Sequence, residues 1–198
     1  MFPGFELLDA YGPLEMWGNL KKDVNVLIVA AEAGPVKSAQ GPATVAEYGF
    51  ADCPKLDLIL VPGGFGVLST IRHPETLEWV RQRSEKAEIT MSVCNGATVL
   101  AAAGILDGHK ATTNKAYWKM ATGPGKKVDW IAKARWVDDG DVVTSSGVSA
   151  GMDMSLHVIQ RLYGMEAAER LAANTEYEWH RDPSWDPFAE LHGLVDAE

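Results

Sequence analysis

Three apolar, β-branched runs divide the first half of the chain and predict buried strands. They are Val24–Ala31, Leu56–Val61 and Ile89–Val93. The first two runs are apolar at nearly every position, which is the pattern of a strand covered on both faces, and the third alternates apolar residues with the small polar residues Thr90 and Ser92. Between the second and third runs, Pro74–Glu88 carries Leu77 and Val80 at helical spacing among charged residues, which predicts an amphipathic helix.

Shorter patterns complete the predicted order of elements. Further β segments are predicted at Val36–Ser38, Ala43–Phe50, Ala111–Thr113, Val128–Trp130, Ala134–Val137 and Val142–Ser145. Further helices are predicted at Pro13–Trp17, Ala97–Ala103, Asn114–Met120, Gly147–Tyr163 and Ala167–Thr175. Strands that alternate with helices favour a mostly parallel sheet flanked by helices, so we expect a three-layer α/β sandwich. Residues 1–198 are expected to form a single domain, with an aromatic tail over 177–198 that packs on a neighbouring surface or subunit.

Composition restricts the classes of partner. The chain has a net charge of -9, with 46% hydrophobic and 23% charged residues. An acidic surface without a cluster of Lys or Arg argues against nucleic acid and against an anionic membrane as partners. We find no signal peptide, no transmembrane run and no metal-ligand spacing, so we expect a cytoplasmic protein without metal or cofactor that binds a small-molecule substrate.

Cys94 lies between the third apolar run and the following helix, in the sequence Ser-Val-Cys-Asn-Gly. A thiol on such a strand–turn–helix junction projects from the end of the sheet, beside a helix N-terminus that favours the thiolate. Serine hydrolases place their nucleophile on the same kind of turn. We therefore interpret this junction as a nucleophile elbow, although a cysteine without that context would be a small buried hydrophobe.

Two other features are expected near the thiol. The pair Gly63–Gly64 ends the second apolar run, and the carboxyl ends of parallel strands meet at the ligand-binding edge of such sheets. Backbone N–H groups of Gly64 and Asn95 are therefore expected to hold negative charge that develops on a bound ligand. Asp9 stands before the predicted helix at Pro13 and is either a capping residue or a carboxylate directed into the site.

Five segments together resemble the ThiJ/PfpI superfamily, the relatives of class I glutamine amidotransferase domains. They are Phe2–Glu15, Asp52–Gly64, Ser92–Ala97, Ala103–Thr113 and Ser145–Asp153. The resemblance covers nearly the whole chain and implies a flavodoxin-like, amidotransferase-like fold. Family members usually begin with one more strand before Phe-Pro-Gly, so the resemblance also implies that the first strand is truncated here. Since family members are commonly homodimers, we expect a homodimer.

The residues around the thiol are most similar to the isonitrile hydratase-like members of that superfamily. Amidotransferase- and protease-like members pair the cysteine with a histidine, whereas Asn95 follows the cysteine here and Asn114 stands where some relatives have histidine. Isonitrile hydratase-like members use the carboxylate that precedes Gly-Pro, which carries over to Asp9. They have threonine after the cysteine, where this chain has Asn95.

The resemblance implies a lyase in which Cys94 attacks an electrophilic carbon, such as that of an isonitrile, and Asp9 relays the proton. The other residues expected around the substrate are Gly64, Asn95, Glu6, Thr113, Asn114, Tyr117 and Trp118. A glyoxalase- or deglycase-like enzyme and a non-catalytic redox sensor or ligand-binding domain are the alternatives. His157 is either a remote base or an ordinary helix residue.

Overall fold

The computed structural model describes residues 1–196 and places helices on both faces of a central sheet. The helices are α1 (Leu7–Gly18), α2 (Val67–Thr70), α3 (Pro74–Ser84), α4 (Gly96–Ala102), α5 (Trp118–Thr122), α6 (Ala150–Tyr163), α7 (Met165–Asn174) and α8 (Pro187–Leu191). The strands are β1 (Gly34–Lys37), β2 (Ala43–Ala46), β3 (Leu58–Val61), β4 (Ile89–Ser92), β5 (Lys110–Ala111), β6 (Asp129–Trp130), β7 (Trp136–Asp138) and β8 (Val142–Ser145). Within residues 1–196, no helix is long and apolar enough to cross a membrane.

The central sheet has the strand order β3–β4–β8–β7. The first three strands are parallel and β7 is antiparallel to β8. Side chains of β3 alternate between two cores: Leu58 and Leu60 face α1, α6 and α7, whereas Ile59 and Val61 face α2, α3 and α4. The predicted three-layer α/β sandwich with a mostly parallel sheet is confirmed. The β segments predicted at Val36–Ser38 and Ala43–Phe50 correspond to β1 and β2, which pair antiparallel.

The prediction of a buried strand over Val24–Ala31 is wrong. The segment makes one isolated bridge, between Val29 and Tyr48, and its residues 26–29 are only half-buried. It lies across an apolar cavity of about 830 Å³ from β3, the edge strand of the central sheet. Residues 28–31 form backbone hydrogen bonds with residues 47–50, but the cavity separates the segment from β3, so it does not join the ladder of the central sheet.

An apolar extension of about six residues, a common strand length, is expected to stabilise the fold when joined to Met1. Met1 lines the cavity, and its amino group donates to the carbonyl of Val29. Burial lowers the pKa of this amino group to about 6, so conversion to an uncharged amide removes an electrostatic cost. A Val/Ile-rich extension would cover the apolar walls and pair with β3. We expect the melting temperature to rise by about 4 °C, corresponding to about 1–2 kcal/mol at this chain length.

The control for this experiment is a Gly/Ser extension of equal length, which also removes the terminal charge but has no apolar side chains to bury. Equal melting temperatures for the two extended proteins would show that the cavity does not accept a strand.

Helix α1 begins earlier than predicted and contains Asp9 in its first turn. The prediction placed the start at Pro13, but this proline lies inside the helix. Since proline lacks an N–H, it leaves the carbonyl of Asp9 without its usual helical donor. Helix α5, in contrast, starts later than predicted, because Asn114 Oδ1 accepts the N–H of Tyr117 at 3.0 Å and holds a turn there.

The tail packs on the same chain. The Asp186 carboxylate lies 3.2 Å from the buried Nζ of Lys115, and the N–H of His180 donates to Asp153 at 2.9 Å. The rings of His180 and Trp185 are stacked 4.3 Å apart. Residues 177–196 therefore cover a neighbouring surface of their own chain, while the end of the predicted tail, 197–198, lies outside the described residues. The homodimer stays a prediction.

Candidate active site

Cys94 occupies a sharp turn between β4 and α4 with left-handed backbone geometry, at φ 57°. Its N–H donates to the carbonyl of Ser146 at 3.0 Å, and its carbonyl accepts the hydroxyl of Thr113 at 2.8 Å. Such geometry costs an L residue about 1–3 kcal/mol and persists only where the surroundings fix it. The two bonds fix the elbow, so Thr113 acts on the backbone of the nucleophile.

Asp9 is fully buried beside the thiol. Its Oδ2 accepts the N–H of Gly63 at 2.8 Å, whereas its Oδ1 has no hydrogen-bond partner within residues 1–196. Burial raises the pKa of the Asp9 carboxyl to about 7; the charge of Glu6 also raises it, while the Gly63 N–H and the Cys94 thiol lower it. The site therefore holds a carboxyl that changes protonation near neutral pH, with one oxygen open to receive a proton.

The thiol of Cys94 is protonated in the resting state. Burial raises its pKa above the ordinary value, and the charge of Asp9 raises it further. The N–H groups of Asn95 and Val148 and the side-chain amide of Asn114 act in the opposite direction. The thiolate-favouring effect expected from the short helix α4 is thus outweighed by burial and by the neighbouring carboxylate. Thiol and carboxyl form a coupled pair that shares its protons.

The side chain of Asn95 links the ends of β3 and β4. Its Oδ1 accepts the N–H of Gly64 at 2.6 Å, and the residue is 2% exposed. Gly64 has φ 112°, and a Cβ there would lie 2.5 Å from the backbone of Glu6, so only glycine fits. The Gly64 N–H, which was expected to hold charge on a ligand, is already bonded, and the Asn95 N–H faces the thiol.

A small cavity of about 80 Å³ opens over the thiol. Its walls are Glu6, Gly64, Phe65, Cys94, Asn95, Asn114, Tyr117 and Val148. Phe65 and Tyr117 are exposed and meet edge to face, with ring centroids 5.0 Å apart. Trp118 lies outside this lining, since its ring packs on Trp130 at 6.1 Å. Of the predicted site residues, Asp9, Thr113 and Trp118 thus lie outside the cavity lining, and Asp9 is buried beside the thiol.

His157 belongs to a different part of the molecule. Its Nε2 lies 2.7 Å from the carboxylate of Asp138, and its ring lies 5.5 Å from that of Trp136. These contacts fit an ordinary helix residue rather than a base. Sequence reasoning missed the cavity residues Phe65 and Val148. The only indication of Val148 was its flanking glycine, which leaves room for the side chain of Asn114.

Gly63→Ala is expected to disrupt the site. A Cβ there would lie 2.2 Å from Asn95 Oδ1 and 2.7 Å from Asp9 Oδ2. Both side chains would have to move, so we expect a loss of about 1–3 kcal/mol in the free energy of unfolding, measured by urea denaturation, together with loss of activity. The control is Gly18→Ala, where an added Cβ meets no atom within 4 Å. Equal stability of the two variants would contradict this packing.

Comparisons with known proteins agree with this fold. A model of the DJ-1/PfpI family matches residues 1–161. Isonitrile hydratase from Pseudomonas putida is 37% identical over 177 residues, which cover 89% of this chain and 76% of that protein. Glutathione-independent glyoxalase DJR-1.2 from Caenorhabditis elegans is 27% identical over 150 residues, which cover 75% of this chain and 78% of that protein.

Solved structures show the same relationship. A ThiJ/PfpI family protein from Pseudomonas syringae superposes with a TM-score of 0.83 at 34% identity, over 94% of this chain and 75% of that one. The match of the family model over most of the chain, the sequence identity and the shared fold all point the same way: the chain belongs to the DJ-1/PfpI family.

Proposed function

We propose that the protein is an isonitrile hydratase-like lyase, which adds water to an isonitrile and releases an N-substituted formamide through an adduct on Cys94. The observation that carries this proposal is the Asp9 carboxyl, buried beside the thiol with its pKa raised to about 7. The reaction must place a proton on carbon, and Asp9 is the buried acid beside the reacting sulfur. The similarity to a relative named isonitrile hydratase supports the same chemistry.

The first half of the reaction adds the thiol across the isonitrile carbon. Asp9, as the carboxylate, takes the proton from the Cys94 sulfur while the sulfur bonds to the terminal carbon of R–N≡C. One carbon–nitrogen π pair moves onto the nitrogen, and the lone pair that the carbon already carries takes the proton from Asp9. The product is a thioimidate, R–N=CH–S–Cys94, and Asp9 is a carboxylate again.

The second half releases the product. Asp9 takes a proton from water as the water oxygen bonds to the thioimidate carbon, and the nitrogen is protonated. The carbon–sulfur bond then breaks, the sulfur regains a proton, and R–NH–CHO leaves. One isonitrile and one water give one formamide, without an oxidant or reductant.

The shape of the cavity supports a substrate of this class. A volume of about 80 Å³ suits a narrow, uncharged head group in contact with the sulfur. Phe65 and Tyr117 offer aromatic surfaces for an apolar R group at the entrance. The thiol is 5% exposed and its pKa is raised, which disfavours the alternative of a peroxide sensor, since sensor cysteines are exposed thiolates.

A glyoxalase-like activity is the second candidate. The relative named glyoxalase DJR-1.2 supports it, and so do the N–H groups of Asn95 and Val148 that point at the sulfur. Such an enzyme would attack the aldehyde carbon of a 2-oxoaldehyde with the same thiol.

Incubation of the purified protein with ethyl isonitrile tests the first candidate. We expect N-ethylformamide by NMR and, after rapid acid quench, an intact-mass increase equal to one isonitrile on Cys94. Conversion of methylglyoxal to lactate, with neither formamide nor adduct from the isonitrile, would reject the hydratase in favour of the second candidate.

A further inference from the structure

The side chain of Asn95 occupies the backbone N–H of Gly64, a residue that lines the same cavity as the nucleophile. Two backbone N–H groups lie at the ends of β3 and β4, those of Gly64 and Asn95. The Asn95 N–H acts on the Cys94 sulfur. The Gly64 N–H donates to Asn95 Oδ1 at 2.6 Å, a short and well-formed bond.

This closure is held by packing. Asn95 is 2% exposed, and its Oδ1 lies only 2.2 Å from the position that a Cβ on Gly63 would occupy. The carboxamide oxygen thus fills the space beside Gly63 and lies within hydrogen-bond distance of the Gly64 N–H. The same turn binds Asp9, through the Gly63 N–H at 2.8 Å. Asn95 therefore fixes the turn that orients the acid and also occupies the donor beside it.

The two candidate reactions differ in where they develop negative charge. A thiolate that adds to an aldehyde turns the carbonyl oxygen into an alkoxide, and each donor that stabilises such an oxygen is worth about 10²–10³ in kcat. A thiolate that adds to an isonitrile leaves the electron pair on the attacked carbon, where the proton held by Asp9 neutralises it. Closure of the Gly64 N–H therefore slows the first reaction and leaves the second unaffected.

We infer that Asn95 is a specificity-determining residue. Its carboxamide oxygen occupies the Gly64 N–H, so that an oxyanion cannot bind this donor, and the site therefore favours electrophiles that are protonated on carbon. This inference rests on the proposed function for its biological meaning, but its test does not depend on isonitrile turnover.

The test compares Asn95→Ala with Asn95→Asp. Alanine removes the acceptor and opens the donor, whereas aspartate keeps an acceptor oxygen of the same shape. For Asn95→Ala we expect kcat/KM for conversion of methylglyoxal to lactate to rise about 10²-fold over the unmodified protein. In that reaction the sulfur adds to the aldehyde carbon and the alkoxide is protonated. The C1 proton then moves to C2 and the hydroxyl proton moves from the C1 oxygen to the C2 oxygen, which gives a thioester. Water hydrolyses the thioester, so methylglyoxal and water give lactate. For Asn95→Asp we expect no rise.

A second measurement reports the hydrogen bond itself. Hydrogen exchange of the Gly64 amide is expected to accelerate in Asn95→Ala and to stay slow in Asn95→Asp, which a general loosening of the fold would not reproduce. If the alanine variant does not fold, Asn95→Gly removes the same acceptor and replaces it in the test.

The inference is overturned if a folded Asn95→Ala or Asn95→Gly variant shows no gain in methylglyoxal turnover, or if Asn95→Asp gains as much. Absence of isonitrile turnover in the unmodified protein would reject the proposed function alone, because the methylglyoxal rates of the variants still decide the role of Asn95.

Discussion

Cys94→Ala is expected to reduce isonitrile turnover by about 10⁴-fold or more, to the uncatalysed background, because no covalent adduct can form without the sulfur. The protein should stay folded, since the N–H and carbonyl of residue 94 keep their bonds to Ser146 and Thr113. Cys94→Ser, which keeps the shape but replaces the thiol by a weak nucleophile, is expected to behave similarly. Formamide release by NMR and the melting temperature give the two readouts.

The chain offers a matched control in its other cysteine. Cys53 is also buried and unpaired, with its sulfur 3.4 Å from the carbonyl of Pro54, but it does not line the small cavity. Cys53→Ala should retain isonitrile turnover, because the substitution removes only the packing contacts of the Cys53 sulfur. Retention of more than about a tenth of the turnover in Cys94→Ala would rule out covalent catalysis by this residue, given the size of the effects known for removed nucleophiles.

Asp9→Asn is expected to lower kcat/KM for the isonitrile by about 10²–10⁴-fold, the usual contribution of a general acid–base. The unmodified protein needs Asp9 as a carboxylate that accepts the thiol proton. Its activity should therefore rise with pH through an apparent pKa near 7, the value to which burial raises the pKa of Asp9, and then level off. The asparagine variant should lose this rise together with the activity. An unchanged pH profile in Asp9→Asn would assign the pKa to another group.

The same substitution is expected to stabilise the protein above neutral pH. The folded pKa of Asp9 is raised from 3.8 to about 7, so ionisation is easier in the unfolded chain, and stability falls as the pH rises from about 4 through 7. A shift of this size corresponds to about 4 kcal/mol at most. Asp9→Asn, which does not ionise, should melt higher than the unmodified protein at pH 8 and at nearly the same temperature at pH 4. An equal difference in melting temperature between Asp9→Asn and the unmodified protein at pH 4 and at pH 8 would contradict the raised pKa of Asp9.

The hydrophobic pattern of the sequence predicted an element best where the neighbouring element also had a clear hydrophobic pattern. The runs that became β3 and β4 were found because each is rich in apolar residues and each ends at a site feature, Gly63–Gly64 or Cys94. Val24–Ala31 carries an equally strong signal and still forms no strand. It lies apart from β3, and its backbone bonds to residues 47–50 amount to one isolated bridge, which side-chain patterns do not report.

The candidate site could be predicted in its chemistry but not in its hydrogen bonds. Cys94 and Asp9 followed from the elbow and from the family resemblance, and they do meet in the folded chain. The bond between the Asn95 carboxamide and the Gly64 N–H joins residues 31 positions apart. This bond depends on the rotamer of the Asn95 side chain, which the periodicity and spacing of the sequence do not encode.

The small cavity over the thiol has a consequence for the lifetime of any adduct on the sulfur. With the thiol 5% exposed at the base of an 80 Å³ cavity, a tripeptide thiol or a protein thiol is too bulky to reach the adduct carbon, whereas water is small enough. An adduct on Cys94 would be insulated from thiol exchange and committed to hydrolysis, even in a solution rich in competing sulfhydryl groups.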